Sequence, residues 1–149
     1  FKFENHDIFV PLKVLEEIDK HKKRQDSVGA NARKTIRTLD EFRTKGNLQK
    51  GVRIDKGKGL ITVVSYEVLK NVAFPSDLDL GIPDHIILAT AMAVRDESSR
   101  KTFVVSRDIN MRVICDSIGL AAEDYEQKKS SLLQRSCILD YHSILLMIR

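Results

Sequence analysis

The stretch that most narrows what this chain can fold into is residues 101–120, KTFVVSRDINMRVICDSIGL. Residues 102–105 are a short β-rich apolar run, the pattern of a buried strand. Ser106, Arg107 and Asp108 end it, and a helical spacing begins at once with Ile109, Val113, Ile114 and Ser117. Gly119 follows where a C′ residue closes a helix. The pattern predicts a carboxylate, Asp108, where a parallel strand runs out and a helix begins. In open α/β sheets that edge is where ligands bind. Capping the helix is an equally simple employment for the same side chain.

Residues 7–10 predict a short strand, and Pro11 ends it and opens a helix over residues 11–24. Val14, Leu15 and Ile18 form the apolar stripe of that helix. At about 100° per residue, Glu17 lies at the edge of the stripe and Glu16 points away from it. Residues 20–25, KHKKRQ, are strongly basic, and Asp26-Ser27 reads as a turn and cap before a helix over residues 28–45. Ala32, Ile36, Leu39 and Phe42 are its inner positions. Arg33, Lys34 and Arg37 lie off that stripe as a solvated basic face. Arg33 and Arg37 are also i,i+4 neighbours, a spacing that suits successive phosphates.

Gly46-Asn47 breaks the second helix. Residues 52–54 and 60–64, separated by DKGKG, predict a β-hairpin projecting from the main sheet. Residues 66–74 fit no single pattern, and residues 75–83 read as a loop in which Asp77 and Asp79 are solvated. Pro83 starts a helix to about Arg95 with Ile87, Leu88, Ala91 and Val94 inside. Asp84 projects onto the centre of that stripe. The helix dipole favours an acid in the first turn, but an inward-facing one needs a partner, a cap or an ion. Residues 121–123 predict an edge strand, residues 124–131 are polar, and the last eighteen residues turn apolar again.

A chain of 149 residues suits one domain with one core. The formal charge of +4 and the pI near 9.1 are compatible with a polyanionic partner. The longest purely apolar run, residues 144–148, is far too short to span a bilayer, so no membrane partner is expected. Cys115 and Cys137 have no metal-like spacing and the histidines are scattered, which predicts a reduced cytoplasmic setting and no zinc site. The chain opens on Phe1 rather than Met, and a segment upstream of it is expected. No Gly-rich phosphate loop and no Ser/His/Asp set is present.

Three acids from distant points remain: Glu17 on the first helix, Asp84 opening the third, and Asp108 at a strand end. An α/β sheet can gather all three at one edge. Clustered carboxylates repel and need cations or raised pKa values. Oxygen-only donors suit Mg²⁺ or Mn²⁺. Such an ion lowers the pKa of a bound water and neutralises a phosphodiester.

The pieces VPLKVLEEIDKHK, ARKTIRTLDEF, DHIILATA and VVSRDINMRVICDSIGLAAEDYE resemble a PIN domain. They are similar to the PIN-like region that precedes the ATPase in PhoH-type proteins, and the resemblance covers residues 1–127. It implies a three-layer α/β/α sandwich around a mainly parallel sheet. It also implies a Mg²⁺- or Mn²⁺-dependent nuclease that cleaves single-stranded RNA internally. Glu17 matches the helical acid of the first half, Asp84 the acid of D-x-x-I-L-A, and Asp108 the acid that follows a hydroxyl residue by two. In the family these acids hold the metal and its water, and Ser106 matches the supporting hydroxyl. The chain has no P-loop and so lacks the ATPase half.

The family's first strand, which ends in an Asp-Thr-Asn-type motif and lies centrally in the sheet, has no counterpart ahead of residue 7. Losing it would leave two unpaired strand edges and a gap in the core. The apolar tail, residues 128–149, offers a replacement: CILDYHSILL, residues 137–146, reads as the missing strand and turn with Asp140 in place of its acid. The alternative is an apolar helix docked on the sheet edge or on a partner. In that case the domain is a degenerate one that binds RNA or protein without cutting. Self-association of the chain through its tail, as a homo-oligomer, is a third reading.

Overall fold

A computed structural model of the chain describes residues 6–124 and a strand at residues 145–148. Strand β1 (Asp7–Pro11) turns at the extended Pro11 directly into helix α1 (Leu12–His21), which buries Val14 and Ile18. Helix α2 (Ser27–Lys45) is capped by Asp26, whose side chain accepts the N–H of Gly29 at 3.1 Å. Strands β2 (Val52–Arg53) and β3 (Leu60–Val64) follow, then a 3-10 helix at Tyr66–Asn71 over the stretch that showed no single pattern. Helix α3 (Pro83–Glu97), strand β4 (Thr102–Ser106), helix α4 (Ile109–Ser117), strand β5 (Ala122–Asp124) and strand β6 (Leu145–Ile148) complete the set.

The sheet has six strands in the order β2-β3-β1-β6-β4-β5. β1 is parallel to β3 and β4 is parallel to β5, while β6 runs antiparallel to both β1 and β4. Hence β1, β3, β4 and β5 all point one way, and β2 and β6 point the other. All five residues of β4 are buried, which requires cover on both faces of the sheet and makes the architecture a three-layer α/β/α sandwich.

The hairpin was expected to project from the sheet; instead β3 is an inner strand and β2 forms the edge. The pairing of Ile8 with Ile61 and Val10 with Val63 places both strands' apolar residues in register. The Asp7 carboxylate accepts the N–H of Leu60 at 2.9 Å and locks the strand start. Gly59 passes so close to β1 that an added Cβ would lie 1.9 Å from the carbonyl oxygen of His6. A hairpin that docks this tightly belongs to the sheet.

Helix α3 also departs from its expected stripe. Every residue from Ile87 to Val94 is buried, because the helix packs against β1, β4, α1 and the 3-10 helix together. It is an embedded helix rather than an amphipathic one.

The gap between β1 and β4 is filled from the tail. β6 pairs Leu146 with Phe9 on one side and Leu145 with Val105 on the other. The described strand overlaps the end of the stretch 137–146 and runs antiparallel to its neighbours, while residues 137–144 lie outside the described residues. Asp140 lies outside the described residues. Among the described residues, no helix is long and apolar enough to cross a membrane.

Candidate active site

The site begins at the corner where β4 becomes α4. Asp108 is the N-cap of α4, and its Oδ1 accepts the N–H groups of Asn110 at 2.8 Å and Met111 at 3.4 Å. Its own N–H donates to the Ser106 hydroxyl at 3.1 Å, and Ser106 is fully buried. Asp108 is exposed, and Oδ2 makes no hydrogen bond with any described residue. Both readings of Asp108 therefore hold at once: one oxygen caps the helix and the other is open to solvent. The far end of α4 closes as predicted. Gly119, at φ 74°, donates to Asp116, and Leu120 donates to Cys115 at 2.9 Å, the paired bonds of a Schellman motif.

Topology brings Asp84 to the same edge of the sheet. Helix α3 packs along β4 and its C-terminus leads into the start of β4, so its N-terminus lies where β4 ends. Asp84 sits in that first turn behind Pro83. It is exposed, not turned into the core as the stripe suggested, because the embedded part of α3 starts only at Ile87. It makes no hydrogen bond or ion pair among the described residues. The preceding loop folds onto the helix: the Asp79 carboxylate accepts from Gly81 at 2.8 Å, and the Asp79 N–H donates to Nδ1 of His85 at 2.9 Å. Asp77 and Asp79 are both exposed.

Glu17 stands in the second turn of α1, which also starts at this edge. Its side chain is 24% exposed against 43% for Glu16, the inequality that the helical spacing predicts. Oε1 of Glu17 lies 2.9 Å from Lys20 Nζ and 3.7 Å from Lys13 Nζ. The hydrogen bond from Lys20, aided by both lysine charges, holds its carboxyl below the ordinary glutamate range in spite of partial burial. Glu16 is lowered first by Tyr66 and then by Lys13, while burial and Glu16 push the Tyr66 phenol up.

The three acids are thus carried on the second turn of α1, the first turn of α3 and the N-cap of α4, helices that adjoin β1 and β4, between which the strand order reverses. They do not close into a cage: among the described residues, no three His, Cys, Asp or Glu side chains are placed to hold one metal ion. The donor set still fits a hard cation. Asp84 and Oδ2 of Asp108 are carboxylate oxygens without competing partners among the described residues, and Mg²⁺-type ions are commonly held by one or two carboxylates plus substrate phosphates.

The basic residues are placed differently from the acids. Arg33 Nη1 donates to the carbonyls of Lys22 at 2.7 Å and Arg24 at 2.9 Å, so it fastens the turn between α1 and α2. Arg37 is exposed, with no hydrogen bond or ion pair among the described residues. Lys20, Lys22 and Arg24 each pair with a neighbouring acid, Arg24 with Asp26 at 2.5 Å. The α1–α2 turn lies one helix length, roughly 15 Å, from the edge that carries the acids. One residue that the sequence reading did not single out is Arg112, whose Nη1 donates to the Ser106 carbonyl at 2.8 Å. Its i,i+4 spacing from Asp108 was the available signal.

A family model described as a PIN domain matches residues 1–126. PIN domains are generally nucleases and typically use divalent metals. Protein PhoH2 of Bacillus subtilis (strain 168) is 34% identical over 131 residues, covering 84% of this chain and 29% of that protein. Protein PhoH2 of Thermobispora bispora is 33% identical over 125 residues, covering 83% of this chain and 28% of its own. Protein PhoH2 of Mycolicibacterium smegmatis is 32% identical over 129 residues, with coverage of 83% and 28%. The chain spans less than a third of the length of these relatives. No solved structure gives a significant match.

Proposed function

The chain belongs to the PIN-domain family, and from that premise we propose that it is a metal-dependent endoribonuclease cleaving single-stranded RNA in the cytoplasm. The observation that carries the proposal is the Asp108 corner. A carboxylate is fixed through one oxygen at the C-terminal end of β4 while its other oxygen makes no bond with the described residues. Asp84, exposed on the same edge, is the second ligand in this reading, and Glu17 is the third acid. The surface pairs that Glu17 makes with lysines are worth about 0–1 kcal/mol each, weak competition for a divalent ion. Mg²⁺ or Mn²⁺ bound there would supply an activated water and charge neutralisation at the scissile phosphate. The chain's own residues hold and orient: Ser106 fixes the Asp108 amide, and the cap fixes its carboxylate. In this reading the exposed Arg37, and the part of Arg33 not bound to the turn, are the groups that would meet the RNA backbone.

The test is cleavage of a labelled single-stranded RNA with Mn²⁺ by the unaltered chain, Asp84→Asn and Asp108→Asn. Products from the first alone support the proposal, and equal cleavage by all three ends it.

A second reading is a PIN domain that binds RNA or protein without cutting. The lack of a three-ligand group among the described residues and the lysine pairs on Glu17 favour it. RNA binding that weakens with salt, ignores metal and yields no products would identify it.

A further inference from the structure

We infer that Arg112 is a positioning residue for Asp108, a clamp on the corner that presents the acid. The inference rests on the reading of Asp108 as a site acid. Two groups of Arg112 hold opposite sides of that corner. Its side-chain Nη1 donates to the carbonyl of Ser106 at 2.8 Å, and its backbone N–H donates to the carbonyl of Asp108 at 3.2 Å. The same Nη1 lies 3.5 Å from the Asp124 carboxylate. Arg112 and Asp124 are shielded, with 22% and 29% of their side chains exposed.

The register explains why the clamp sits here. Ser106 pairs with Asp124 at the last described rung between β4 and β5. The guanidinium therefore ties three elements together, β4 through Ser106, β5 through Asp124 and α4 through its own backbone. Arg107 alone separates Ser106 from Asp108, so any swing of the Ser106 peptide carries to the acid. Nη1 carries two N–H donors fixed in the guanidinium plane, so this one nitrogen can face the carbonyl and the carboxylate together. An ångström-scale misplacement of a catalytic group costs on the order of 10²-fold in rate.

The experiment compares the full chain with Arg112→Ala, Arg112→Lys and Asp124→Asn. It measures kcat and KM for single-stranded RNA with Mn²⁺, together with residue-resolved amide hydrogen exchange. Arg112→Ala is expected to lower kcat about 10- to 100-fold with KM within about twofold. Exchange at the Asp108 and Asn110 amides should rise about tenfold while Ala91–Val94 stay protected. Arg112→Lys should recover part of both effects, and Asp124→Asn should fall between lysine and alanine. A kcat within about twofold of the unaltered chain overturns the inference. So does a loss of kcat that merely follows a uniform rise in exchange. If the unaltered chain cleaves no RNA, the nuclease reading fails separately. Exchange then decides the clamp, a local rise sustaining it and an unchanged corner overturning it.

Discussion

Asp108 has two jobs in this account, and two substitutions separate them. Asparagine retains an acceptor oxygen for the Asn110 and Met111 amides but carries no charge. Alanine loses both. The cap is worth about 1 kcal/mol, and a charge at the helix N-terminus adds about 0.3–1 kcal/mol. Asp108→Asn is therefore expected to lose only the smaller amount, and Asp108→Ala about 1–2 kcal/mol. For a chain of this size each kcal/mol shifts Tm by about 2–4 °C. Catalysis should not follow that order. A lost metal ligand removes several kcal/mol of transition-state stabilisation, and each 1.36 kcal/mol is tenfold in rate. Both variants should fall about 10²- to 10³-fold in kcat/KM, even though asparagine is nearly as stable as the starting chain. Thermal melts and RNA cleavage on the same preparations check this. Full activity in Asp108→Asn would refute the site role, and an unchanged Tm in Asp108→Ala would refute the cap.

The lysine-held Glu17 has a depressed folded-state pKa. Its stabilising contribution is full above the ordinary glutamate value of 4.5 and disappears as pH falls through the lower folded value. Glu17→Gln should flatten the acid limb of stability against pH in urea titrations, and parallel curves would count against the pairing. Cys115 is pushed up to about 11 by burial and then by the Asp116 charge. At pH 8 only about one thiol in a thousand is ionised, so site-resolved alkylation should label Cys115 only on unfolding. Ending the chain before Leu145 removes the strand between β1 and β4. Several buried ladder groups then go unpaired at about 1–3 kcal/mol each, against a typical total stability of about 5–15 kcal/mol. Loss of the cooperative melt is expected, and a shift of only a few degrees would contradict the sheet order.

What was legible in the sequence was mostly local. The strand, cap, helix and glycine of residues 102–119 follow from patterns within a few residues of one another, and the structure reproduces them. So does the inequality of Glu16 and Glu17, which depends on helical geometry alone. Asp84 misled because its stripe was real but the helix is buried all round from Ile87, so a shared stripe did not mean a shared interior. The basic residues read as a solvated face with a phosphate-suited pair, and that pattern does not show local partners: Lys20 pairs with Glu17, Lys22 with Asp19 and Arg24 with Asp26, while Arg33 holds the α1–α2 turn. The need for a strand between β1 and β4 was legible from the missing family element. Its position and direction were not, since an apolar run without alternation specifies neither register nor orientation.

The most direct test of the account is Mn²⁺ binding followed by electron paramagnetic resonance, with and without a non-cleavable single-stranded RNA analogue. Two exposed carboxylates that await substrate phosphates should bind the ion weakly alone. The analogue is expected to tighten binding about tenfold or more in the unaltered chain and to have no effect in Asp84→Asn or Asp108→Asn. Mn²⁺ affinity that ignores the RNA, or that survives both substitutions, would contradict the claim that these acids and the phosphate share one ion.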